Sequence, residues 1–233
     1  LQYNFRVVNP GLHLSDGQRT NQTEIIVRRE CQYLSVHPDN PQERILKQAV
    51  DILNAGGVIA YPTESGYALG CLLDNKEGAD RIRTIRRLDD KHYFTLVCPD
   101  LSHLSAYAKV GNVQFRYLKS HLPGPYTFIL PASREVPRRL QTPKRKFIGL
   151  RVTPNTVTNA LLSYFDKPLI SVSLILPGEE LPMTDGWTIQ ETLGHALDAV
   201  LDGGFCGFEP TTVIDFTEDV PVLIRQGQGE FNE

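Results

Sequence analysis

From about residue 33 onward, short apolar runs alternate with stretches whose apolar residues recur at helical spacing. Ile45, Ala49, Ile52 and Leu53 fall on one helical face. Before them, Asn40-Pro41-Gln42-Glu43 combines an N-cap, a proline at the first helical position and a glutamate three residues after the cap. Gly56-Gly57 is expected to end this helix. An apolar strand over 57–61 follows, then a helix over 76–88 with Ala79, Ile82 and Ile85 inward. Further strands are predicted at 94–98, 126–130, 147–152 and 168–174, with helical pieces at 102–108, 112–121, 155–165 and 188–200. Thr188 and Glu191 have the spacing of a capping box. Two last strands, 211–216 and 220–225, are joined by an acidic turn and predicted antiparallel. This alternation argues for one α/β domain with a mixed sheet. Residues 1–32 are polar and weakly periodic, so they are expected to be a partly disordered extension, with the domain spanning 33–233.

Composition agrees with a globular core: 41% of residues are hydrophobic and 22% charged. The four cysteines lie far apart, which predicts free thiols, and the six scattered histidines predict no structural metal. No apolar run approaches the roughly 20 residues that cross a bilayer, and no secretory signal is evident. A cytoplasmic protein without membrane contact is the expectation.

Charge changes the picture more. From Arg81 to Arg151 there are 15 Lys/Arg against 4 Asp/Glu, whereas from Glu179 to Glu233 there are 12 acids and one base, Arg225. Such polarity suggests a polyanionic partner for the basic stretch, or mutual neutralisation of the two segments in the fold.

The densest candidate chemistry is Tyr61-Pro-Thr-Glu-Ser-Gly-Tyr-Ala-Leu-Gly70. Thr63, Glu64 and Ser65 place two hydroxyls and a carboxylate at a strand end, where open α/β sheets bind ligands. Glycine-rich phosphate motifs of the Walker or dinucleotide type are absent, so a nucleotide would have to be held differently.

Five segments, in order, resemble the YrdC/YciO family and its YciO-type branch in particular. They are Gly56 to Gly70, Pro123-Gly124-Pro125-Tyr126-Thr127, Ile148-Gly149-Leu150-Arg151-Val152, Pro210-Thr211-Thr212-Val213-Ile214-Asp215 and Leu223-Ile224-Arg225-Gln226-Gly227. The resemblance covers roughly residues 33–231. It implies a twisted, open sheet with a basic concave surface. For active relatives it implies synthesis of L-threonylcarbamoyl-AMP from ATP, L-threonine and bicarbonate, with release of pyrophosphate. That product serves tRNA threonylcarbamoyladenosine modification. Mg²⁺ would arrive on the triphosphate.

Carried over by position, Thr63, Tyr67 and Thr211 would hold the amino acid, while Arg86, Thr127, Arg151, Ser173 and Arg225 would hold the nucleotide and its phosphates. No catalytic nucleophile is assigned. Each residue also has a plain reading. Thr127 and Thr211 suit strands, Tyr67 suits a core, and Arg151 could pair with a buried carboxylate such as Asp215.

Three departures lower the expected activity. Where the synthase branch carries Lys-x-Arg-Pro, this chain has Arg86-Arg87-Leu88-Asp89-Asp90-Lys91, and Leu88 offers no donor. Where synthases carry Ser-x-Asn, Ser173-Leu174-Ile175 keeps the serine and loses the amide. A synthase histidine is replaced by Pro99. Weak or re-specialised synthase-like activity is therefore expected. The alternative is a tRNA- or double-stranded-RNA-binding protein, with Arg138, Arg139, Lys144, Arg145 and Lys146 on phosphates.

Overall fold

The structure, a computed structural model, describes residues 30–89, 92, 94–141 and 146–231. The elements are β1 (Gln32–Ser35), α1 (Glu43–Asn54), β2 (Ile59–Thr63), β3 (Gly66–Leu72), α2 (Lys76–Arg86), β4 (Thr95–Val97), α3 (Leu101–Tyr107) and α4 (Asn112–His121). They continue with β5 (Tyr126–Pro131), β6 (Phe147–Arg151), α5 (Thr156–Leu162), β7 (Leu169–Ser173), α6 (Gly186–Leu193), β8 (Ala199–Asp202), β9 (Thr212–Asp215) and β10 (Val222–Arg225). All strands join one 10-stranded sheet in the order β1-β8-β2-β3-β7-β4-β6-β5-β9-β10. Parallel pairs (β1–β8, β2–β8, β4–β6, β5–β9) and antiparallel pairs mix, and β9–β10 closes as the expected antiparallel pair.

The sheet's two faces are covered unequally. Alternate residues such as Leu69, Ile170, Leu96, Leu150, Phe128 and Ile214 pack into the larger core, to which α2, α3, α4 and α6 contribute. The other core is smaller. Helices α1 and α5 pack there on Leu34, Ala199, Leu201, Ile59 and Ala68, and it includes nothing from β5, β6, β9 or β10. Among the described residues, half of one sheet face is thus left without a helical cover.

Several local expectations need correction. The predicted strand 57–61 and the turn after it form a hairpin, with β2 and β3 paired from Ile59↔Gly70 to Thr63↔Gly66. Glu64-Ser65 alone makes the turn, and Gly66 takes φ 102, which an L side chain rarely adopts. Pro62 is tolerated because β2 pairs with β8 only through Ile59 and Ala60, so its missing N–H interrupts no bond on that side. The helix predicted over 188–200 is α6 followed by β8. Ala199, Val200 and Leu201 are all buried between β1 and β2, and a short apolar run of that kind does not distinguish helix from buried strand. Asp198 sets this strand's start by accepting from Val58 N at 2.8 Å and pairing with Arg81 at 2.8 Å.

The cap assignments move as well. Asp185, not Thr188, caps α6, accepting from Thr188 N at 2.8 Å. Gln42 rather than Asn40 precedes α1, with its side chain turned back to His37 N at 3.0 Å. β1 begins inside the predicted extension because Gln32 to Ser35 pair with Ala199 to Asp202. Residues 1–29 lie outside the described residues.

Gly70 shows how close the hairpin packs. A Cβ there would sit 2.7 Å from the ring of Tyr61, a fully buried side chain whose hydroxyl meets Ser171 Oγ at 2.5 Å. Gly70→Ala is expected to destabilise the protein by about 1–3 kcal/mol, read by urea denaturation.

Candidate functional site

The uncovered half-face is lined with small and polar residues. Thr95 lies opposite both Ser171 and Gly149, and Val213 lies opposite both Thr127 and Arg225. Residues directly opposed in a ladder share a face, which puts these six on the side without helices. A Cβ on Gly149 would meet Thr95 Oγ1 at 3.1 Å and Thr127 Cγ2 at 3.6 Å, confirming the common side. Their neighbours Leu96, Ile148, Leu150, Phe128 and Ile214 are buried on the opposite side.

At one end of this face several of the segments that carry the family resemblance meet. Thr127 Oγ1 lies 3.0 Å from Thr211 Oγ1, joining β5 to the residue before β9. The Arg225 guanidinium donates to the Thr211 carbonyl from Nη2 at 2.9 Å and from Nε at 3.3 Å. Thr63 is buried at the hairpin turn, with its hydroxyl on Gly66 O at 2.6 Å. Gln228 Nε2 donates to the Glu64 carbonyl at 3.1 Å and so ties this turn to the loop after β10. Ser173, half-buried at the end of β7, lies opposite Ala68 on β3.

Two arginines supply the charge. Arg151 is only 6% exposed and forms an ion pair with Glu64 through Nη2. Glu64 also accepts from Thr153 Oγ1 at 2.6 Å. Arg151 Nε is buried without a partner among the described residues. Arg225 makes no ion pair among the described residues, and burial, reinforced by the nearby positive charge of Arg151, lowers its pKa. A buried cation, Arg151, and an exposed one, Arg225, close enough to repel each other, favour an anion beside them.

Other predicted residues sit elsewhere. Tyr67 is fully buried; its hydroxyl donates to Asp202 Oδ1 at 2.9 Å and to Gly204 O at 2.8 Å, so it braces the strand end from within the core. Arg86 ends α2, half-buried, with Nε lacking a partner among the described residues. Burial lowers its pKa, and its charge adds to the burial that lowers the pKa of His92. Asp215 is not the partner of Arg151. It lies opposite Val222 and lines a separate hollow with Phe147, Thr217 and Val220. Leu88 packs against the larger core, and Ile175 is half-buried with its backbone N–H on Ser173 O at 3.0 Å.

Much of the basic stretch is engaged internally. Arg81 pairs with Asp198, Arg139 donates to Leu73 O at 2.8 Å, and Arg83 lies over Phe94 with 4.6 Å to the ring centroid. Arg138 and Lys146 are exposed, while Lys144 and Arg145 lie outside the described residues.

The Glu64–Arg151–Thr153 cluster was missed as a unit in the sequence, although each residue was visible. The partners are 87 and 89 positions apart, and no periodicity connects them. The chemistry available is therefore anion binding and charge neutralisation beside several hydroxyls. The cysteines offer no reactive thiolate: burial pushes Cys206, near the hairpin turn, up to about 11 and Cys71 up to about 12. All four are free thiols. Among the described residues no helix is long and apolar enough to cross a membrane.

The chain and its fold are similar to those of known proteins. The Sua5/YciO/YrdC family model, described as telomere recombination, matches residues 51–227. The uncharacterized protein YciO of Escherichia coli K12 is 51% identical over 199 residues, 85% of this chain and 97% of the relative. Its crystal structure superposes with a TM-score of 0.82, covering 86% of this chain and 97% of that one. A Photobacterium profundum protein named threonylcarbamoyl-AMP synthase is 32% identical over 187 residues, 78% of this chain and 98% of the relative. The structure of P. abyssi Sua5 complexed with L-threonine is 25% identical with a TM-score of 0.76, covering 84% of this chain and 57% of that one. From its fold and from these matches, the chain belongs to the Sua5/YciO/YrdC family.

Proposed function

We propose that this protein binds a nucleoside triphosphate and an amino acid on the uncovered sheet face and forms a carbamoyl adenylate, slowly or on a substrate other than threonine. The observation that carries the reading is the pair of neighbouring guanidiniums, buried Arg151 and exposed Arg225, beside the hydroxyls of Thr127 and Thr211. Relatives named as threonylcarbamoyl-AMP synthases, and a relative solved with L-threonine, support it.

The chemistry asks for such a face. The amino group of the amino acid takes up carbon dioxide and loses a proton, giving a carbamate. A carbamate oxygen then bonds to the α-phosphorus as the bond to pyrophosphate breaks. Carbamate and triphosphate are both anions, so neutralising charge and holding the two in line carry the catalysis. Arg151 and Arg225 would contact phosphate oxygens with forked donors. Thr63 and Thr211 would hold the amino acid, with Tyr67 supporting that end from the core. Mg²⁺ would enter with the triphosphate as part of the substrate.

Leu88 and Ile175 favour the slow or altered version. Each places an apolar side chain where a synthase offers a polar one. Each missing partner of a buried ligand group costs about 1–3 kcal/mol. A second reading, RNA binding on the basic stretch, has less support, because Arg81, Arg83 and Arg139 make internal contacts.

The test is to incubate the protein with ATP, Mg²⁺, bicarbonate and each amino acid in turn, measuring pyrophosphate and adenylate. Pyrophosphate release that depends on one amino acid and on bicarbonate is expected. Absence of both turnover and ATP binding would remove the reading.

A further inference from the structure

Two surfaces, one beside the hairpin turn of the ligand site and one between α3 and α4, differ in charge. The first is the loop 203–210, where Phe205 is 85% exposed and Phe208 61% exposed. These rings are not on a loose segment. Cys206 N donates to Thr184 O at 3.0 Å, and Gln228 Nε2 donates to Glu209 O at 2.6 Å. Leu181, 61% exposed, lies in the segment bonded to this loop. The surroundings are acidic: from Leu176 to Pro210 there are seven Asp/Glu and no Lys or Arg. Glu179, Glu180 and Glu209 are exposed there.

The second surface is a groove of about 510 Å³ between α3 and α4. Leu101, Phe115, Leu122, Pro123 and Val152 give it apolar walls, with Lys119 at its edge. Helix α4 carries Arg116 and Lys119 and no acid, and its Val113 and Phe115 are 51% and 41% exposed. The one carboxylate in the groove, Asp100, is held by His103 N at 2.8 Å and His103 Nδ1 at 2.9 Å.

Two exposed aromatic rings close together on a loop whose backbone is hydrogen-bonded at Cys206 and Glu209 form an apolar patch suited to an interface. A groove of this volume accepts an aromatic side chain, and its basic rim suits the acidic loop. We propose that Phe205 and Phe208 of one copy dock into the α3–α4 groove of a second copy. Glu209 and Glu179 of the first copy face Arg116 and Lys119 of the second. The two surfaces differ, and a single contact between them is head-to-tail, leaving an unused groove on the first copy and an unused loop on the second.

Sedimentation velocity of the full chain across the micromolar range tests this. The weight-average sedimentation coefficient is expected to rise with concentration and to fall again in high salt. A loop variant, Phe205→Ser with Phe208→Ser, and a groove variant, Phe115→Ser with Lys119→Glu, should each weaken association about tenfold or more. All four positions are on the surface, and circular dichroism should show both variants folded. Mixed together, they should form a one-to-one heterodimer, since one retains its groove and the other its loop. A wild-type chain that stays monomeric throughout overturns the proposal. So does association that persists in both variants, or a mixture that fails to pair.

Discussion

Replacing Glu64 by alanine is expected to weaken binding of pyrophosphate or Mg²⁺–ATP about 10–100-fold and to destabilise the fold. The stability effect follows from burial. Arg151 is 6% exposed, and removing its carboxylate leaves a buried charge without its partner, which costs about 3–5 kcal/mol. The binding effect follows from position. Glu64 holds one end of the guanidinium, so without it Arg151 turns to other acceptors and its donors leave the ligand face. Glu64→Gln separates the two effects, because its carbonyl still accepts from Arg151 Nη2. It should recover most of the binding while remaining less stable. A double variant, Glu64→Ala with Arg151→Met, should be more stable than the sum of the singles allows, since it removes both charges. Urea denaturation and titration calorimetry measure these quantities. Additive losses in the double variant would show that the pair does not act as a unit.

The second large effect is a gain. Leu88→Arg together with Ile175→Asn is expected to raise amino-acid-dependent pyrophosphate release by about 10²-fold or more. Two restored hydrogen-bonding groups, each contributing about 1–3 kcal/mol, correspond to that factor when they act in the transition state. The change carries a stability cost of about 1–2 kcal/mol, because Leu88 packs against the larger core. Initial rates at saturating ATP and threonine provide the comparison. A folded double variant with the wild-type rate would show that Leu88 and Ile175 do not limit the rate.

Much of the architecture was legible. The helical spacing of Ile45, Ala49 and Leu53, and that of Ala79 and Ile82, matches α1 and α2 with small shifts at the ends. The final strand pair was read correctly from its acidic turn. Errors fell where local signals compete. The run 199–201 is apolar on every residue, so nothing in it distinguishes a buried parallel strand from the end of a helix. The strand extends past the expected end at 61 to Thr63, and the short pairing with β8 lets it include Pro62.

The candidate site was legible as a set of residue types and as a family resemblance, not as a geometry. Thr63, Thr127, Thr211 and Arg225 could be named from the chain, and the fold brings Thr127, Thr211 and Arg225 into hydrogen-bond reach. The partner of Arg151 could not be chosen, since Asp215 and Glu64 are equally acidic in a sequence. Only the chain's path decides that Glu64 on the hairpin turn reaches Arg151 at the end of β6.

By itself, then, the amino-acid sequence determined the alternation of helices and strands and the family resemblance. These are local properties, set by periodicity and side-chain type. Tertiary structure alone decided which sheet face stays uncovered, which arginine is neutralised and which remains available to an anion. Those outcomes depend on strand order and on contacts between residues more than 80 positions apart, where burial and distance, rather than composition, set the strength of a charge.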